Sequence, residues 1–206
     1  LRPDLTSQKT DNSVFSSMEC IKLLLEKNAS PNNDSIFNKD RPLITACELS
    51  KYPQLMKCVK LLLKNGADIN VQGNGGKTAL HIVCANLNKK SSLECLEYLI
   101  NKGKDIDLNV LDGESLTPLG SLCKLFKQSR ENNDIEKISP ECFIRALDIL
   151  LSVGVDVNIY NVVDGETPLM LLCDNDLSEF KDNVDAIQII TNLVTASKDT
   201  IEHKNA

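Results

Sequence analysis

Apolar residues in this chain recur at helical spacing, in two phrases that alternate along its length. The first phrase is short and occurs four times, as Arg41-Pro42-Leu43-Ile44-Thr45-Ala46-Cys47, Thr78-Ala79-Leu80-His81-Ile82-Val83-Cys84, Thr117-Pro118-Leu119-Gly120-Ser121-Leu122-Cys123 and Thr167-Pro168-Leu169-Met170-Leu171-Leu172-Cys173. Each copy predicts the start of a short helix. A threonine oxygen caps an orphan N–H, and proline at the first helical position loses no hydrogen bond. The second phrase spans Met18 to Asn28, Leu55 to Asn65, Leu93 to Lys102 and Phe143 to Val153. In its second copy the lysines fall between apolar positions, which predicts a helix with a wide buried face. Gly66, Gly103 and Gly154, with Asn28 in the first copy, follow these helices where a left-handed cap is expected. Asp68-Ile69-Asn70, Asp107-Leu108-Asn109 and Asp156-Val157-Asn158 then lead into turns rich in glycine and aspartate.

The repeating unit is thus helix, loop, helix, glycine stop and extended turn. Such a unit cannot bury its apolar face alone, so its stability has to come from stacking on its neighbours. From about Met18 to about Ser197 the unit resembles the ankyrin repeat, whose signature is T-P-L-H-x-A and whose length is about 33 residues. The resemblance implies an all-α solenoid of four to five helix-turn-helix units with extended β-turn fingers. Its expected divisions are a partial repeat at 1–40, repeats at 41–76, 77–115, 116–165 and 166–197, and a tail at 198–206. The signature leucines lie 37, 39 and 50 residues apart, at positions 43, 80, 119 and 169. The surplus is expected between the two helices of each unit, at Lys51-Tyr52-Pro53, Asn86 to Ser91, Asp174 to Asn183 and, longest of all, the insertion Lys124 to Pro140. Ser139 and Pro140 should start the helix that follows this insertion. Thr6 to Ser17 is polar and lacks the leucine phrase, so it reads as a degraded first helix or an exposed remnant.

Composition narrows the partners. The 206 residues carry a net charge of −6 and no clustered basic stretch, which argues against nucleic acid. No run approaches the roughly 20 apolar residues of a membrane span. Four of the eight cysteines (Cys47, Cys84, Cys123, Cys173) lie four residues after the signature leucines, three (Cys20, Cys58, Cys95) share a position in the second phrase, and Cys142 stands apart. That placement predicts buried core thiols in a reducing compartment, not disulfides or a metal site. The expected location is cytoplasmic, or the host cytoplasm or nucleus for a pathogen protein. The chain opens on Leu1, as expected of a segment of a longer polypeptide.

Catalytic chemistry has little to work with, since the chain has two histidines, His81 and His203. His81 lies three residues before Cys84, which allows a Cys/His pair, but it also fills the histidine slot of the repeat signature, where the resemblance implies hydrogen bonds between adjacent turns. Gly73 to Thr78 does not match the spacing of a phosphate loop and reads as a turn. The expectation is a non-enzyme without cofactor, metal or small-molecule substrate.

The resemblance implies an interaction surface on finger tips and inner helices, with a protein as partner. The finger positions are Ile36, Phe37, Lys39, Gln72, Asn74, Leu111, Glu114, Tyr160, Val162 and Val163, and the inner-helix positions are Thr45, Glu48, Ile82, Ala85, Ser121, Lys124, Leu171 and Asp174. Asn70 and Asn158 also fit the pattern of ankyrin asparagines that hydroxylases modify, against a plain turn role for each. The irregular unit lengths and the Asn, Lys, Ile and Asp content are similar to those of ankyrin proteins from poxviruses and intracellular bacteria. This style implies a host-directed module, or alternatively a scaffold or ubiquitin-ligase adaptor segment of a larger protein.

Overall fold

The computed structural model describes residues 9–32, 40–49, 56–87, 90–103, 105–131, 138–173, 188 and 191–196. They form helices α1 (Lys9–Glu26), α2 (Pro42–Glu48), α3 (Met56–Lys64), α4 (Ala79–Ala85), α5 (Lys90–Lys102), α6 (Pro118–Glu131), α7 (Pro140–Ser152) and α8 (Pro168–Cys173), with a helical stretch at 191–196. No strand occurs among the described residues, and the architecture is the all-α solenoid that the sequence implied. The inner helices α2, α4, α6 and α8 stack in chain order, and the outer helices α1, α3, α5 and α7 form a second row. Within each unit α2 packs on α3, α4 on α5 and α6 on α7.

The inner helices start as their sequences require. The side chains of Thr78, Thr117 and Thr167 accept hydrogen bonds from the N–H groups of His81, Gly120 and Met170 at 3.5, 3.0 and 3.3 Å. Ser139 caps α7 through the Cys142 N–H at 3.2 Å, with Pro140 as the first helical residue. Past the outer helices Asn28, Gly66 and Gly154 take positive φ values of 63°, 86° and 81°. Between the two rows lies a continuous apolar core. Leu62, Leu99 and Leu150 occupy one equivalent position in it and are almost wholly buried, each stabilising the stack by about 1.5–3 kcal/mol.

Several expectations are corrected. Gly103 is absent from the positive-φ residues. A Cβ there would meet Ile106 Cβ at 2.7 Å and Ile69 Cδ1 at 2.9 Å, so close packing between repeats requires the glycine. The insertion after Lys124 begins as helix: α6 runs to Glu131 because Phe126 is buried and lies 4.2 Å, centroid to centroid, from Phe143 of α7. The polar segment before Met18 is helical from Lys9 as part of α1. Cys47, Cys58, Cys84, Cys95 and Cys123 are buried as expected, but Cys20 and Cys173 are exposed. These two sit in the first and last units described, where fewer neighbours cover them. The segments at Lys51 to Pro53 and Asp174 to Asn183 lie outside the described residues.

Candidate interaction surface

Fingers join α3 to α4, α5 to α6 and α7 to α8, and side-chain hydrogen bonds tie each to the next. In the Asp-x-Asn turns, Asp68, Asp107 and Asp156 accept from the N–H of Asn70, Asn109 and Asn158 at 2.9, 3.0 and 2.9 Å. The asparagine side chain then reaches one repeat onward. Asn70 donates to the Asp105 carbonyl and accepts from the Asp107 N–H, both at 2.8 Å. Asn109 accepts from the Asp156 N–H at 3.0 Å. Asn32 does the same for Gly66 and Asp68 at 3.1 and 2.9 Å, and Ser30 stands in for the aspartate ahead of it. Its Ser-Pro-Asn spelling hid this turn from a search for Asp-x-Asn. Asn70, for which the sequence left a hydroxylation site and a plain turn role open, is in the structure a link between repeats.

His81 is a second link. Its Nδ1 accepts from the Thr78 N–H at 3.2 Å, which places the ring proton on Nε2, facing the Leu116 carbonyl at 3.0 Å. Burial lowers its pKa. Both ring nitrogens are engaged, and burial pushes the Cys84 thiol up to about 12, so the two do not form an activated thiolate pair. No group of three or more His, Cys, Asp or Glu suited to a metal occurs among the described residues. The glycine segment expected to be a turn is one: Gly75 and Gly76 have φ values of 65° and 70°, and the Gly73 N–H bonds the Lys77 carbonyl at 2.8 Å. Gly113 donates to the Gly75 carbonyl at 2.6 Å in the neighbouring finger. A Cβ on Gly76 would come within 3.1 Å of the Gly113 nitrogen, so these fingers pack backbone to backbone.

The surface residues divide into three groups. Tyr160, Val162 and Val163 stand out from the last finger, 56%, 63% and 75% exposed, and Leu111 is exposed on the finger before. Asn161 closes the last finger by accepting from the Val163 N–H at 2.8 Å and donating to the Glu166 carbonyl at 2.9 Å. Gln72 reaches the Leu111 carbonyl at 3.4 Å and Asn74 reaches Asp40 at 3.0 Å, so both polar tips bond to adjacent fingers. Glu114 and Lys124, placed separately on finger and helix, form an ion pair at 2.5 Å, with Lys77 3.7 Å from the same carboxylate. The hydrogen bond and charge of Lys124 lower the Glu114 pKa.

Thr45 and Glu48 are exposed, and Ala85 is half-buried. Ile82, Ser121 and Leu171 are corrected: they are buried in the stack of inner helices and are not open to a partner. Thr45 holds the same helical position but lies on the first inner helix described, with none stacked ahead of it. Met170 was missed. It occupies the slot that His81 fills in α4 and is exposed because no later finger covers it among the described residues. Ile36, Phe37, Lys39 and Asp174 lie outside those residues.

Comparison with known proteins agrees with this geometry. The profile of the family described as ankyrin repeats matches three copies across residues 13–112. Residues 13–112 are built of ankyrin repeats, and α6 to α8 continue the same stack. It is 36% identical over 146 residues to an ankyrin repeat protein of Acanthamoeba polyphaga mimivirus, covering 62% of this chain and 35% of that protein. It is 33% identical over 125 residues to an ankyrin repeat protein of Rickettsia bellii, covering 50% of this chain and 51% of the relative. The ankyrin repeat chain thus spans about a third to a half of these relatives. An ankyrin repeat domain from Acinetobacter baumannii shares the fold with a TM-score of 0.63 at 19% identity, over 89% of this chain and 80% of that one. Ankyrin repeats are characteristically protein-interaction modules, and no described helix is long and apolar enough to cross a membrane.

Proposed function

We propose that this ankyrin array is a non-catalytic recognition module that holds a partner protein against its fingers and inner helices. The last finger carries the reading: Tyr160, Val162 and Val163 are held out on a turn whose backbone Asn161 fixes. Apolar groups already ordered on a rigid turn lose little entropy on docking, and a well-placed aromatic is a frequent energetic anchor of an interface. The relatives in a virus and in Rickettsia favour a partner from an infected host cell. The competing reading is a scaffold segment whose activity lies in other parts of a longer protein.

The test places a photo-crosslinking residue at Val163 or, as a control, at Lys22 of the outer row. A discrete adduct formed from position 163 alone, and lost with Tyr160→Ala, supports the module. Equal labelling from both positions sinks it, and the absence of any adduct favours the scaffold.

A further inference from the structure

The outer row carries a second surface. A groove of about 720 Å³ lies between the C-terminal halves of α3 and α5, with Leu63, Ala67, Ile69 and Tyr98 as its apolar wall. Lys60, Lys64 and Lys102 line it, and the Lys60 ammonium lies 5.2 Å from the centre of the Tyr98 ring. The single acidic side chain among the lining residues is that of Asp105. Glu97, beside Tyr98 on α5, is paired with Arg145 at 2.6 Å.

The repeat itself shows that these lysines are not a requirement of the fold. One unit onward, the positions equivalent to Lys60, Lys64 and Lys102 are Glu97, Asn101 and Val153, and one unit back they are Lys22, Glu26 and Asn65. Among these junctions the three cations come together at α3 and α5 alone. Lysine in a last helical turn complements the helix dipole, yet α1 and α7 end with no basic residue, so the dipole does not account for the cluster. Positive charge gathered at one groove of a chain with net charge −6 is an electrostatic feature that selects its partner.

We infer that this groove docks an acidic peptide segment that places an apolar side chain on Ile69 and Tyr98 and its carboxylates on Lys60, Lys64 and Lys102. The size suits a few residues of extended chain. The lysine stems extend the apolar wall while their heads remain in water. This groove lies between the outer helices and the bases of their fingers and involves none of the finger-tip residues, so either surface can fail without the other.

The probe is a fluorescein-labelled peptide of four glutamates around one leucine, titrated by anisotropy at low salt against the full 206-residue chain. Lys60→Gln/Lys64→Gln should weaken binding at least about tenfold, and the exposed Lys22→Gln/Lys27→Gln pair, which removes the same charge elsewhere, should stay within about twofold. Replacing the leucine with glutamine should also weaken binding. Inorganic phosphate should compete no better than chloride at equal ionic strength. Equal losses in the two double variants, no saturable binding, or displacement by phosphate alone would overturn the assignment. Circular dichroism and thermal melts verify that the variants fold.

Discussion

His81 Nε2 lies 3.0 Å from the Leu116 carbonyl oxygen, so one imidazole joins the start of α4 to the end of the next finger. The ring is neutral, and its folded pKa is below the ordinary 6.5 because it is buried. The unfolded chain therefore binds the proton more readily. The stability from neutral His81 is complete above about pH 6.5 and is lost as the pH falls toward the folded value, by at most about 1.4 kcal/mol per pH unit. Urea midpoints should fall between pH 7 and 5.5. His81→Gln should flatten that dependence.

Asn70 bonds a carbonyl and an N–H of the following finger at once. Asn70→Ala should cost about 1–3 kcal/mol by leaving these groups without their partner. Asn70→Asp should cost at least as much, since a carboxylate oxygen would face the Asp105 carbonyl where an amide N–H now donates. Equilibrium denaturation of the three chains gives the order, and a neutral Asn70→Ala would show that the ladder contributes nothing.

Much of this fold was legible in the sequence because its determinants are local. Capping threonines and prolines lie beside the helices they start, and the stops at Asn28, Gly66 and Gly154 follow directly after the helices they end. Gly103 was misread because the atoms that exclude a side chain belong to Ile69 and Ile106, which no local pattern brings together. The burial of Ile82, Ser121 and Leu171 is likewise set by the inner helix stacked ahead of each, and the exposure of Met170 by the lack of a covering finger. Surface and core exchange places at the ends of a stack even when the repeated phrase is unchanged.

The helical extension beyond Lys124 follows the same logic, because its only apolar anchors are Leu125 and Phe126 amid polar residues. Phe126 is 1% exposed and packs on Phe143. Phe126→Ala should destabilise the chain by about 3–5 kcal/mol, the range for emptying a buried aromatic site. A loss below about 1 kcal/mol in chemical denaturation would mean that this part of α6 packs only loosely on α7.

Ser115 has a φ of 60°, in the left-handed region where Gly76 and Gly165 hold the corresponding finger position at 70° and 71°. Its N–H bonds the Asp112 carbonyl at 2.9 Å through the backbone alone, so glycine would keep that bond and relieve the Cβ strain. Ser115→Gly should stabilise the chain by about 1 kcal/mol, less the entropy that glycine adds to the unfolded state. Calorimetry should show a melting point raised by about 2–4 °C at most.

Tyr160 and Val163 separate binding from folding. Both are more than half exposed, and the hydrogen bonds that shape their finger come from Asn161 and the backbone. Tyr160→Ala/Val163→Ala should therefore change stability by less than about 0.5 kcal/mol per site. If they anchor a partner, the same pair should weaken its binding by about 2 kcal/mol or more, roughly thirtyfold in Kd. Asn161→Ala is the complementary variant: it keeps both side chains and the backbone bonds to Glu166 and Gly165 but removes the side-chain bond to the Val163 N–H, so affinity should fall through loosened preorganisation. Calorimetric titration against a cross-linked partner, once purified, distinguishes the two mechanisms, since ordering a loosened turn on binding carries a larger unfavourable entropy than the loss of an anchor. Unchanged affinity in both variants would remove the last finger from the interface and leave Thr45, Glu48 and Leu111 as the described surface to test next.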